Sequence, residues 1–411
     1  MRPPFLALVL LSLLSSIAGS AASARDFYHW TQFTADGLEA RAVVEDGTCP
    51  EATIDGRPAK MTVRAGATSG FPVTVCRLGI PAGAKTATIK GRPAPLPPAR
   101  VDRILILGDT GCRINILKAQ ACNDLARWPF RLVADLAAER APDLVVHLGD
   151  LIYRERPCPD PAQGCAGSPS GDDFETWKAD WFDPARALLE AAPIVFVRGN
   201  HEDCARNGAG WTRFASAFAF SEACTAQEPP FTLDLGGLAL AVLDVTRAED
   251  RVVDPALASL FEEQFKALSG RGAPLWIAMH KPIYGALRIK DGIVEGDNKT
   301  LVAAARDGLP SGVEAMLSGH LHLFEALSYK QDFPAQIVAG IGGTLPDPIA
   351  PQRLDGLAIA DKTIATGVSV SGKFGFATLE RSEGGWLLQD FDTHGALLAR
   401  CTLAGRTLAC N

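Results

Sequence analysis

From Val101 onward the chain alternates short, wholly apolar runs with stretches whose apolar positions recur every three or four residues. Residues 104–107, 144–148, 194–197, 238–243 and 275–279 have the length and content of buried strands. Between them, Phe130, Val133, Ala134 and Ala137 share one helical face, as do Phe174, Trp177 and Trp181, and later Leu257, Leu260, Phe261 and Phe265. Residues 374–379 and 386–391 read as late strands. Alternation of this kind predicts an α/β fold, with central β-sheets flanked by helices. Residues 25–98 differ. Short β-prone segments at 40–44, 61–64, 73–77 and 86–90 lie between Gly, Pro and Asp turns, which predicts a small N-terminal β-sandwich domain. The Pro-rich stretch 92–98 predicts a stiff, extended linker to a second, larger domain spanning 99–411. His29, between Tyr28 and Trp30, reads as a packing residue.

The first residues carry a different signal. Arg2 precedes an apolar run at 5–18, and Ala22-Ser23-Ala24 is a small-residue cleavage pattern. Residues 1–24 therefore read as a secretory signal peptide cut after Ala24. The run is shorter than the roughly 20 apolar residues a membrane span needs, and no later stretch supplies one. Secretion, or export to a periplasm, is the expected localisation. It gives meaning to ten cysteines in 411 residues: an oxidising compartment makes them disulfides. Closeness in sequence favours Cys49–Cys76, Cys112–Cys122, Cys158–Cys165, Cys204–Cys224 and Cys401–Cys410. No Cys-x-x-Cys occurs, so a zinc ribbon or thioredoxin-type motif is not indicated. At 47% hydrophobic and 21% charged, the chain is too apolar for general disorder. Its net charge of -7 argues against nucleic-acid binding through a basic patch.

Polar residues gather where the strands end. Gly108-Asp109-Thr110-Gly111 follows the first, and Gly149-Asp150-Leu151-Ile152-Tyr153 the second. Gly199-Asn200-His201-Glu202 follows the third, and His280-Lys281-Pro282 the fifth. Gly319-His320-Leu321-His322 follows another short apolar run. Strand C-termini are where an open α/β sheet presents ligand-binding groups, and the glycines allow sharp turns in a crowded place. Asp109, Asp150, Asn200, His280, His320 and His322 offer oxygen and imidazole donors, a mix that suits divalent or trivalent first-row metals. Two such ions about 3.5–4 Å apart can clamp both ends of an in-line displacement at phosphorus and bring a water pKa down from about 15.7 to about 7. Each motif alone has a bland reading as a turn or a helix cap. Five in order, each after a strand, do not. His147 reads as a supporting or packed residue, and Arg113 and Lys281 adjoin the motifs as candidate phosphate contacts.

With these residues in place, the sequence resembles the calcineurin-like metallophosphoesterase superfamily, and within it the purple acid phosphatases, over about residues 100–395. The first motif carries the finer resemblance. Much of the superfamily has Asp-x-His there, whereas Asp109 is followed by Thr110 and Gly111, and Tyr153 stands three residues after Asp150. The resemblance implies a metallophosphoesterase-type α/β sandwich with two metal ions. Asp109, Asp150, Tyr153 and His322 would hold Fe(III), and Asp150, Asn200, His280 and His320 would hold Fe(II), Zn(II) or Mn(II). It implies hydrolysis of small phosphate monoesters by a metal-bound hydroxide, with His201 as catalytic residue at the leaving group. A carboxylate partner for His201 is expected among Glu202, Asp203 and Asp244. The sequence departs from several members in having no further histidine between His280 and His320. The alternatives are a phosphodiesterase or nucleotidase with the same site, or a non-catalytic secreted binding module. A near match to a phosphate loop at 367–373 lacks the required Ser or Thr after Lys373. Asn298-Lys299-Thr300 is a glycosylation sequon, relevant only in a eukaryotic secretory path.

Overall fold

A computed structural model describes residues 27–270, 274–290, 293–347 and 352–411. The expected signal peptide lies outside the described residues.

Two large mixed sheets face each other. The eleven-stranded sheet has at its centre Arg103–Leu107, Leu144–His147 and Ile194–Phe196, all parallel. The ten-stranded sheet is built around the parallel strands Ala239–Leu243, Leu275–Met279 and Val313–Ser318. These strands are buried on both faces, which is why they read as unbroken apolar runs. Successive side chains nevertheless point to opposite sides. Ile104, Ile106, Leu144 and Val146 meet Leu240, Val242, Trp276 and Leu317 between the sheets. Leu105, Leu107, Val145 and Phe196 pack outward against Phe130, Val133, Trp177 and Trp181. On the far side, Leu243, Ile277 and Met279 pack against Leu257, Phe261, Phe265 and Leu301. The result is the expected α/β sandwich, with helices on both outer faces.

Helix Pro255–Lys266 shows how local sequence starts such an element. Pro255 occupies its first turn, and the Asp254 side chain accepts from the backbone N–H groups of Ala256 and Leu257. Helix Phe174–Trp177 continues into a π-helical turn, Lys178–Phe182. That widening turns Asp180 into the protein interior.

The N-terminal strands divide between two sheets. Glu51–Ile54, Arg57–Lys60, Ala87–Ile89 and Arg92–Pro93 form a small sheet of their own. Tyr28–Thr34, Gly37–Val44, Thr74–Gly79 and Thr62–Ala65 instead prolong the eleven-stranded sheet, joined where Gln32 pairs with Ile194. The Pro-rich stretch is extended but not free. His29 donates to the Pro93 carbonyl at 2.9 Å and Thr31 to that of Pro95 at 2.5 Å. His29 is thus a packing residue, and burial lowers its pKa. All five disulfides expected from sequence closeness are formed. Among the described residues, no helix is long and apolar enough to cross a membrane.

Candidate metal centre

The five motifs converge at one edge of the sandwich. Asp109, Asp150 and Asn200 come from the eleven-stranded sheet, and His280, His320 and His322 from the ten-stranded one. The approach is close enough to dictate the glycines. A Cβ on Gly199 would lie 2.1 Å from Asp150 Oδ1, and Gly149, at φ 93°, would meet His280 Nδ1 at 2.6 Å. Three polar residues also adopt the left-handed backbone region: Asp109 (φ 56°), Asp150 (φ 57°) and His320 (φ 69°). Each costs on the order of 1–2 kcal/mol and persists because the loops are bonded to one another. Asp109 N–H donates to the Gly149 carbonyl, Thr110 N–H to that of Asp150, and Gly319 N–H to that of His280, at 2.9–3.0 Å. Strain of this kind gathers at functional sites.

Tyr153 Oη sits at the junction. It lies 2.8 Å from Asp109 Oδ1, 2.7 Å from Asp150 Oδ2 and 3.0 Å from His322 Nε2. His322 Nε2 is 3.3 Å from Asp109 Oδ1. Adjacent donors about 2.1 Å from one ion stand about 3 Å apart, so these four atoms have the spacing of a shared metal. Burial, reinforced by the Asp109 and Asp150 carboxylates, pushes the Tyr153 phenol well above its usual range. A phenolate here therefore needs a cation beside it.

A second group shares Asp150. His280 Nε2 lies 3.2 Å from Asp150 Oδ2 and 3.1 Å from Asn200 Oδ1. Donor atoms of Asp150, His280 and His320 fall within 4.8 Å of one another. The backbone sets the histidine tautomers. His280 Nδ1 faces the Leu148 carbonyl at 2.6 Å and His322 Nδ1 that of Leu345 at 2.8 Å, so in each ring Nε2 is the atom that faces the carboxylates. Burial opposes charge on His280, yet Asp150 and Asp109 lift it to about 9. Burial also opposes ionisation of Asp150, but His280 and His201 hold it well below the usual carboxylate range. All seven expected ligand residues are thus brought together, with Asp150 common to both groups, and the donor set fits two ions.

The model of the calcineurin-like phosphoesterase family matches residues 102–324, more than half of the chain. The chain belongs to the calcineurin-like phosphoesterase family. Membership places it among the phosphoester hydrolases. The fold is also that of two solved structures. A purple acid phosphatase from yellow lupin (Lupinus luteus) seeds is 13% identical, with a TM-score of 0.59 covering 91% of this chain and 73% of that one. A PhoD structure is 12% identical, with a TM-score of 0.55 covering 93% and 91%. A search of curated protein sequences finds no match.

In this phosphoesterase the partner of His201 is not one of the three carboxylates expected. His201 Nδ1 lies 2.8 Å from Glu155 Oε1, while its Nε2 lies 3.9 Å from Asp150 Oδ2. Glu202 is wholly buried and accepts from the backbone N–H groups of Asp150, Leu151, Ile152 and Gly199, so it shapes two motif loops. Asp203 pairs with Arg206, and Asp244 with Arg198. Glu155 escaped notice because it stands outside every motif; its place two residues after Tyr153 was the available signal.

Two further carboxylates carry no motif. Asp180, in the π-helical turn, accepts from Cys112 N–H, Tyr153 N–H and Arg154 Nε, tying the first two motif loops together. Asp250 Oδ1 lies 3.4 Å from His320 Nε2, which turns Nδ1 of that ring toward the other donors. Asp250 is itself held by Asn298 Nδ2 at 2.7 Å and Lys281 Nζ at 3.3 Å. Asn298 is buried, and its side-chain oxygen caps helix Lys299–Ala304, so the sequon asparagine is structural and inaccessible to a glycan. Lys281 also donates to the Ala248 carbonyl and is not available to substrate. His147 is buried against Trp181 and Phe196 and bonded to Thr110 Oγ1, and burial drops its pKa to about 3. The near phosphate loop falls on strand Lys362–Val370 and its end, and the next element is strand Gly375–Ser382 rather than a helix.

Proposed function

We propose that the chain is a secreted, binuclear-metal phosphatase that hydrolyses small phosphate monoesters, purple acid phosphatase-like in its use of a tyrosine. The observation that carries this reading is Tyr153 Oη in contact with Asp109, Asp150 and His322 at once. Asp109, Asp150, Tyr153 and His322 would hold Fe(III); Asp150, Asn200, His280 and His320 would hold Fe(II), Zn(II) or Mn(II). Ions held there would supply Lewis acidity and a hydroxide nucleophile at neutral pH.

The chain's own residues do the rest. The left-handed turns at Asp109 and Asp150 and the Glu202 bonds fix the carboxylates before substrate arrives, so little reorganisation is left for the reaction. His201, with Glu155 on Nδ1, presents Nε2 toward Asp150 and serves as the acid that protonates the leaving oxygen. A polar cavity of about 400 Å³ opens beside Asn200 and His320, bordered by Arg206, Arg247 and Glu249. It suits a small polar alcohol as leaving group. A domain division at residue 98, supported only by the small separate sheet within residues 51–93, and cleavage after Ala24 with export, supported by the five disulfides, belong to the same proposal.

Assay of the purified mature protein with a chromogenic monoester beside a diester tests the substrate class. Faster monoester turnover is expected. A reversed preference overturns the monoester assignment, and no hydrolysis of either overturns the phosphoesterase reading.

A further inference from the structure

The hydrolase reading leaves open what receives the phosphoryl oxygens. The basic side chains packed around the centre are largely committed. Lys281 is tied to Ala248 and Asp250, Arg198 to Asp244 and the Thr225 carbonyl, Arg154 to Asp180 and Ser168, and Arg206 to Glu155 and Asp203. Arg113 is different. Its guanidinium carbon lies 4.7 Å from the centre of the Tyr153 ring, and Nη2 is 3.3 Å from His322 Nε2. Its Nε is buried and has no hydrogen-bond partner. Among the described residues, no carboxylate forms an ion pair with it. With His322 Nε2 serving as a metal ligand, that donor would be free as well.

The position of Arg113 is also fixed. Its N–H donates to Gln120 Oε1 at 3.1 Å, and its carbonyl accepts from Gln120 N–H at 2.8 Å. The Cys112–Cys122 disulfide closes the same loop, and Cys112 N–H and Ile114 N–H are anchored on Asp180 and on the Tyr153 carbonyl. A guanidinium without a carboxylate partner, on a backbone anchored beside a candidate phosphoryl site, leaves buried donor capacity unused unless an oxyanion satisfies it. Guanidinium matches phosphate oxygens with two parallel N–H donors.

We propose that Arg113 is a catalytic residue that binds the phosphoryl group of the ester from the Tyr153–His322 side and stabilises the charge that builds on it. The proposal rests on the hydrolase reading. Arg113 makes and breaks no covalent bond. Water oxygen adds to phosphorus and gives up a proton to solvent, the ester P–O bond breaks, and the leaving oxygen takes its proton from His201, which solvent reprotonates. Arg113 contributes donors to the non-bridging oxygens throughout.

The test compares metal-loaded full-length protein with its Arg113→Ala and Arg113→Lys variants. Readouts are metal content, thermal midpoint, kcat and KM on a chromogenic monoester, and inhibition by inorganic phosphate. Loss of one preorganised donor typically costs about 10²–10³-fold in kcat. Arg113→Ala is expected to lose about 100-fold in kcat/KM and to weaken phosphate inhibition, with metal content and thermal midpoint kept. Arg113→Lys should recover part of both losses, because it keeps the charge and lacks the fork. Unchanged kinetics and phosphate inhibition in metal-loaded Arg113→Ala would overturn the proposal. So would loss of metal in both variants, which would make Arg113 a support for His322. If wild-type protein hydrolyses no ester, the hydrolase reading fails, and calorimetric titration with inorganic phosphate still decides: binding that Arg113→Ala abolishes upholds the oxyanion site, and binding that it leaves intact removes it.

Discussion

The two sheets contribute unequal halves to one site. The eleven-stranded sheet delivers oxygen donors, Asp109, Asp150, Tyr153 and Asn200, on loops held by Glu202, Asp180 and three disulfides. The ten-stranded sheet delivers imidazoles, His280, His320 and His322, on loops without a disulfide, each ring oriented by a carbonyl or by Asp250. The physical difference is charge. Packed carboxylates repel one another and must be held by covalent and hydrogen-bonded scaffolding, whereas an imidazole brings no negative charge and needs only its far nitrogen satisfied. Asp150 joins the halves, touching Tyr153 on one side and His280 on the other.

The largest effect should come from breaking that joint. Asp150→Asn is expected to lower kcat/KM by roughly 10³-fold or more, the several kcal/mol assigned to metal catalysis, with metal content reduced for both ions. Retention of both ions and of activity would deny Asp150 its shared role. His201 sits beside Asn200 on a loop of the oxygen half but is not a proposed ligand, so His201→Ala should cost roughly 10²-fold in kcat while metal content stays whole. Glu155→Gln should cost less, because it removes only the orienting partner. Asp250→Ala addresses the imidazole half alone. It should weaken binding of one ion by about 10–100-fold, read by competition with a chelator, and leave the other ion in place. Equal loss of both ions would erase the distinction between halves.

Reduction of the disulfides probes the oxygen half. Cys112–Cys122 and Cys204–Cys224 begin three and four residues after Asp109 and Asn200. Metal should loosen under reductant before the protein unfolds, because both large sheets keep their cores; global unfolding first would contradict this. The smallest effect lies away from the site. Asp390 is buried and neither carboxylate oxygen has a hydrogen-bond partner, so burial pushes its pKa well above the usual value. A raised folded-state pKa means stability present at low pH and lost as pH rises past the unfolded-state value near 3.8. Asp390→Asn should raise the thermal midpoint by a few degrees at pH 7, about 1 kcal/mol or more, with activity unchanged. The gain should vanish below pH 4.

Much of this was legible in the sequence. The parallel strands announced themselves as apolar runs, and the seven proposed ligand residues as polar motifs at their ends, because a sheet edge is a local feature of the chain. Cysteine pairing followed from short loops. What stayed hidden was non-local. Glu155, Asp180 and Asp250 reach the site by packing and carry no motif. Strand Tyr28–Thr34 is buried almost throughout and lacks the alternation of a half-exposed strand, so its place in the large sheet could not be read. The left-handed turns at Asp109, Asp150 and His320 were hinted at only by neighbouring glycines.

The central claim is a tyrosine-ligated iron shared through Asp150 with a second ion, and metal analysis with a visible absorption spectrum tests it most directly. Wild-type protein should contain two ions per chain, at least one of them iron, and show a charge-transfer band that Tyr153→Phe removes. A colourless, fully metallated wild-type protein, or a band that survives in Tyr153→Phe, would contradict it.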